Sequence, residues 1–264
     1  MSLSARGALL AVLLAAVVSA ACGTRLFGKQ YEYEEDLYLS LDGSATVIVN
    51  TSLAALAALR GLDFQPENGR VDRDAIRAAF TTPVTEVTRV SRPWRRAGRQ
   101  FVQIRVDVAD VRQLGNAAPF AWSHYELSEG NGEHLFKQQT GPSALRPGTL
   151  KNVGWTGKEI VAFRLHLPSR IKWHNSRDLE TNQPSDHERG NILRWEQYLA
   201  DRLDGAPINI EVRMESQSIL FRTLWLFAGA FLAAVTLLVL LIWLTIRKGA
   251  KQEAMSKAGS ASPE

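Results

Sequence analysis

The sequence predicts an α+β fold: a mainly antiparallel sheet with short helices in one exported domain, followed by one C-terminal transmembrane helix. Three observations carry this. Alternating apolar and polar residues, the mark of half-buried strands, recur between residues 31 and 214. Short alanine- and leucine-rich stretches with capping residues interrupt them. No charged residue occurs across residues 224–246, from Leu224 to Ile246.

The elements follow in order. Residues 31–40 set Tyr31, Tyr33, Leu37 and Leu39 against Glu32, Glu34 and Asp36. The turn after them contains Asp42-Gly43, a hairpin signal, and residues 45–50 return. Residues 51–60 read as a helix with Ser52 near its cap and Gly61 as its stop. Residues 72–80 read as a second short helix, ended by Pro83. Residues 84–94 and 100–108 form another hairpin. In its second arm Val102, Ile104, Val106 and Val108 face one way, and Gln103, Arg105 and Asp107 the other. Residues 110–114 suit a helical turn, and 122–127 with 134–139 suit a hairpin. Residues 141–157 are rich in Gly and Pro and read as a loop. Strands are expected at 159–167, 191–199 and 207–214. The last runs almost directly into the membrane helix, so the sheet is expected to stand close to the bilayer. Strand pairs separated by short helices define the α+β class.

The ends give the domain plan: 1–21 a signal peptide, 22–218 the exported domain, 219–246 the transmembrane helix, 247–264 a disordered cytoplasmic tail. At 1.5 Å per residue the apolar run spans roughly 34 Å, enough to cross a hydrocarbon core of about 30 Å. Trp225 and Trp243 lie near its two ends, where interfacial aromatics belong. Arg247 and Lys248 follow at once, and positive charge beside a membrane helix marks the cytoplasmic side. At the other end Arg6, a short apolar core and the small residues before Cys22 follow signal-peptide grammar. Cys22 is then a lipidation site. A plain signal-peptidase site using Ser19 and Ala21 competes, and an uncleaved anchor is a third reading. The expected location is the bacterial cytoplasmic (inner) membrane, single-pass, with the main domain outside.

Composition excludes several chemistries. Cys22 is the single cysteine, so no intramolecular disulfide, cysteine zinc cluster or thiol catalysis is available to the domain. The whole chain carries a net charge of +4, but residues 23–218 hold 25 Lys+Arg and 25 Asp+Glu. The basic excess therefore belongs to the ends, and no nucleic-acid partner is expected.

Candidate sites are few. The stretch "SRPWRRAGR" gathers Arg92, Arg95, Arg96 and Arg99 around Trp94, which suits a headgroup surface or an anionic polymer. Residues 173–190 form a long polar loop starting at Trp173 and His174 and carrying Asp178, Asp186, His187 and Glu188. Its spacing matches no metal-ligand motif. His124 and His134 fall in neighbouring strands, but no hydrolase or metalloprotease motif accompanies them. Trp94, Trp155, Trp173 and Trp195 are candidate linings of an apolar cleft. Ala230 and Ala234, with Gly229 and Ala233, offer a small-residue face for a homodimer.

On these residues the chain resembles the LppM-type envelope lipoproteins of actinobacteria and, in related form, cyanobacteria. The resemblance is carried by Cys22 after a signal segment, "LYLSLDGSATVIV" at residues 37–49, and "LHLPSRIKWHNS" with "GNILRWEQYL" before the terminal helix. It implies a small exported α+β domain tethered to the membrane and in contact with envelope lipids. It supplies no catalytic residue and no cofactor. The expectation is a non-enzymatic binding module for lipid, glycolipid or a protein partner. The alternatives are an accessory or assembly subunit of a membrane complex and, more remotely, an envelope hydrolase.

Overall fold

The computed structural model describes residues 28–64, 70–145, 153–185 and 191–259. Cys22 and the signal segment lie outside the described residues, as do Asp186, His187 and Glu188. The α+β class holds: two sheets, short helices, and a long apolar helix at the C-terminus.

Strands β1 (Tyr31–Leu39) and β2 (Ala45–Ser52) pair antiparallel. Their turn is closed by the Asp42 carboxylate, which accepts from the Ser44 amide and hydroxyl, while Gly43 takes φ +94°. Ser52 then caps α1 (Leu53–Arg60) by accepting from the Ala55 amide, and Gly61 ends it in the left-handed region. Helix α2 (Arg73–Phe80) is capped by Asp72 and lays Ile76 and Phe80 on the core.

Strands β3 (Thr85–Val90), β4 (Trp94–Arg96) and β5 (Arg99–Val108) complete one edge. The sequence treats residues 84–94 as one strand, but Pro93 has no amide to donate and the chain breaks before it. Trp94–Arg96 instead pairs with β5 across the two-residue turn Ala97-Gly98, both at positive φ. After a 3-10 turn at Val111–Asn116 come β6 (Ser123–Gly130) and β7 (Glu133–Thr140). Then β8 (Ile160–His166), β9 (Ser169–His174), β10 (Ile192–Tyr198), α3 (Leu199–Leu203), β11 (Ile208–Ser218) and α4 (Ile219–Gly259) follow.

The seven-stranded sheet runs β10-β8-β1-β2-β5-β3, with β4 also on β5, and the four-stranded sheet runs β6-β7-β11-β9. The β1–β8 pair is parallel and every other named pair antiparallel. The chain changes sheet at Leu167-Pro168, between β8 and β9. The core lies between the two sheets. Val47, Val49, Ile104 and Val106 present one wall, Phe136, Val212 and Met214 another, all fully buried. Each such side chain contributes about 1.5–3 kcal/mol of burial.

Four further expectations change. A register shift between Tyr31 and Tyr33 turns Tyr31 away from the core phase and buries Glu32. Trp173 and His174 end strand β9 rather than opening a loop. Helix α3 replaces an unassigned link. Residues 247–259, expected as the start of a disordered tail, continue α4.

Strand β11 passes into α4 without a linker, and the Ile219 amide donates to the Pro168 carbonyl. His166 pairs in register with Tyr38, so α4 leaves at the end of the sheet where β1 finishes. Tyr31 marks the opposite end. A nine-residue strand separates them, roughly 25–30 Å.

Candidate functional site

Helix α2 and the β4–β5 hairpin meet at the end of the sheet remote from α4. Trp94 pairs in register with Phe101, itself opposite Ser52, so the hairpin sits level with or beyond the start of β1. An open cleft of about 470 Å³ lies there, lined by Arg70, Val71, Arg73, Arg92, Pro93, Trp94, Arg95 and Gln100. Its four arginines come from two distant segments, and no carboxylate is among the lining residues. None of the four has an ion-pair partner among the described residues. Trp94 stacks on Phe101 at 5.9 Å between ring centroids yet stays 39% exposed. Arg96 lies over the other ring of that pair, 4.3 Å from the Phe101 centroid, and does not line the cleft.

The cleft therefore offers four guanidiniums, unpaired among the described residues, and one exposed indole. Guanidinium forks bind phosphate or carboxylate oxygens bidentately, and several in one cleft favour a ligand of multiple charge. Sequence reading finds Arg92, Trp94 and Arg95 here, and misses Arg70 and Arg73. The sequence signal for the latter is the pair of arginines flanking Asp72, whose side chain is committed to capping α2. Arg99, grouped with the hairpin tip in sequence, turns inward: its Nε and Nη2 contact Glu32 at 3.0 and 2.8 Å.

A second polar cluster is closed to solvent. Glu35 stands on the core face of β1, with its carboxylate 2.5 Å from the Arg60 guanidinium and both side chains 1% exposed. Tyr33, Tyr125 and Gln138 donate to the same carboxylate. Arg60 lies over the rings of Tyr33, Phe120 and Trp122 at 4.7–4.9 Å and donates to the Pro119 carbonyl. Burial pushes Glu35 up to about 7, with Gln138 and Tyr125 donating against it. Burial draws Arg60 down to about 9, still protonated at neutral pH. The contact between them opposes both displacements. With both side chains buried, the pair ties α1 to both sheets.

The remaining candidates separate. Trp173 is 47% exposed with Arg213 over its ring at 5.5 Å, on the other sheet from Trp94. Trp195 belongs to the core, and Trp155 donates to Glu32. The four tryptophans do not share a cleft, which removes the expected aromatic lining for an acyl chain. His124 contacts Glu126 at 3.2 Å on the surface, whereas His134 is buried. Among the described residues no three His, Cys, Asp or Glu side chains are placed to hold a metal ion. Helix α4 exposes Leu224, Trp225, Trp243 and Ile246, and Arg247 lies 5.1 Å over Trp243. Residues Ile219–Gly249 have the length and composition to cross a membrane.

No protein-family description matches the chain. No curated protein matches it either. Among solved structures the chain is similar to the folded domain of LppM from Mycobacterium tuberculosis, determined by NMR, at 11% identity and a TM-score of 0.37. That match covers 72% of this chain and 92% of the other. A likeness of that order decides neither fold nor function.

Proposed function

We propose that this chain is a single-pass bacterial inner-membrane protein whose extracytoplasmic α+β domain is a non-enzymatic binding module. Its site is the arginine cleft around Trp94, and its ligand is anionic. The observation that carries this reading is the grouping of Arg70, Arg73, Arg92 and Arg95, none with an ion-pair partner among the described residues, about one exposed indole. Like charges gathered in one cleft repel one another, and a bound anion relieves that repulsion. Helix α4 supplies the anchor: its apolar surface is exposed along its length and follows β11 directly. Arg247 and Lys248 after the apolar run support a cytoplasmic C-terminus. Cys22, where lipidated, adds a second anchor.

Cysteine labelling tests the topology. With Cys22 replaced by serine, Ala97→Cys is expected to react with a membrane-impermeant maleimide in cells whose inner membrane is intact. Ser256→Cys is expected to react only after lysis. The reverse pattern would place the cleft in the cytoplasm and end the envelope reading. The accessory-subunit reading draws on the same exposed helix, and co-purification of a stoichiometric membrane protein in mild detergent would favour it.

A further inference from the structure

The clefts at the two ends of the domain differ in charge. Beside Pro168, where α4 leaves, one is lined by Tyr38, Ser40, Thr46, Asp107 and His166, with no lysine or arginine among its lining residues. Another at the same end sets Lys172 against Glu133 and Glu215. Neither carries the positive surface that anionic headgroups select. The arginine cleft lies roughly 25–30 Å away along the sheet and is further offset by the strands between β8 and β5. That distance exceeds the Debye length of about 8 Å at physiological salt, so the bilayer holding α4 exerts little pull on it.

We infer that the cleft binds an acidic saccharide, bearing phosphate or carboxylate groups, presented away from the bilayer that holds α4. This rests on the binding-module reading above and names the ligand of that same site. The guanidiniums match several oxyanions at once. The apolar part of the cleft is a single flat indole flanked by Pro93 and Val71, a surface suited to the C–H face of a sugar ring. A peptide partner would be expected to anchor a side chain in a well-packed apolar pocket, and this lining offers no such socket. Gln100 completes the cleft wall, its side-chain oxygen buried and without a hydrogen-bond partner among the described residues.

The test uses the full chain in vesicles of neutral phosphatidylcholine, with phosphorylated dextran fragments, oligogalacturonate, uncharged dextran and poly-glutamate as probes. Phosphorylated dextran or oligogalacturonate is expected to bind, and uncharged dextran to fail. Arg92→Gln with Arg95→Gln is expected to weaken binding about tenfold or more. Trp94→Ala is expected to weaken saccharide binding severalfold while leaving poly-glutamate unchanged. Equal binding of poly-glutamate and saccharide, indifferent to Trp94→Ala, would overturn the inference in favour of an acidic protein partner. Binding only to added vesicles containing phosphatidylglycerol would overturn it in favour of a headgroup. In both cases the binding module would stand. No binding to any anion would remove the binding-module reading as well. Thermal unfolding of each variant confirms that these exposed substitutions leave the fold intact.

Discussion

Burial of Glu35 costs free energy that Arg60 offsets from 2.5 Å, and the pair exposes how a core tolerates charge. Removing the cation by Arg60→Met leaves the carboxyl buried with only neutral donors. Burial then prevails, and the carboxyl, already raised from 4.5 to about 7 by burial, loses the one cation that favours its charged form. A folded-state value above the unfolded one means that the folded chain holds the proton more tightly. The associated stability is fully present below about 4.5 and is lost as pH rises through about 7. At neutral pH the variant is expected to be destabilised by about 3 kcal/mol relative to its own stability in acid. Urea unfolding between pH 4.5 and pH 7.5 measures this, and a flat profile for Arg60→Met would contradict it. Glu35 leaves a mark in the sequence, because it is a polar residue at a position in phase with Tyr33, Leu37 and Leu39. Its partner leaves none, since nothing in residues 51–60 says that the last residue of that helix turns into the core.

At the scale of elements, legibility follows locality. The β1–β2 turn, the two caps of α1 and the alternation of β5 are short-range features, and the chain reads them as written. Ser52 is the clearest: its hydroxyl accepts from the Ala55 amide in a fully buried setting. Ser52→Ala leaves that amide without a partner and is expected to cost about 1–2 kcal/mol, read from the urea midpoint. Ser52→Thr, which keeps the acceptor, is expected to recover much of the loss. Strand β9 escapes the sequence because Ile171 is its one fully apolar inward residue and Pro168 precedes it. Its strand character comes from pairing with β11, a contact between segments far apart in sequence. The cleft divides in the same way. Arg92, Trp94 and Arg95 are neighbours in sequence and were legible together, whereas Arg70 and Arg73 reach them only through the packing of α2 beside β3.

For the whole molecule, the separation of α4 from the arginine cleft follows from sheet topology. The parallel β1–β8 pair fixes it: β8 finishes beside the end of β1, hands the chain to β9, and Pro168 receives the amide that starts α4. The β4–β5 turn must then sit at the other end, because β5 is antiparallel to β2 and β2 to β1. A domain that stands on α4 holds Ala97 far from the bilayer, while Glu129, near the Gly132 carbonyl that receives the Ser216 amide, stays close. With Cys22 replaced by serine, a donor fluorophore on Glu129→Cys is expected to transfer efficiently to a headgroup-labelled acceptor lipid, and one on Ala97→Cys markedly less. The contrast matters for function, because like charges on the cleft gain most from a partner that brings counter-charge to that height. Equal transfer from both positions would mean that the domain lies along the membrane. The cleft would then face headgroups after all, and the ligand would have to be sought in the bilayer instead of beyond it.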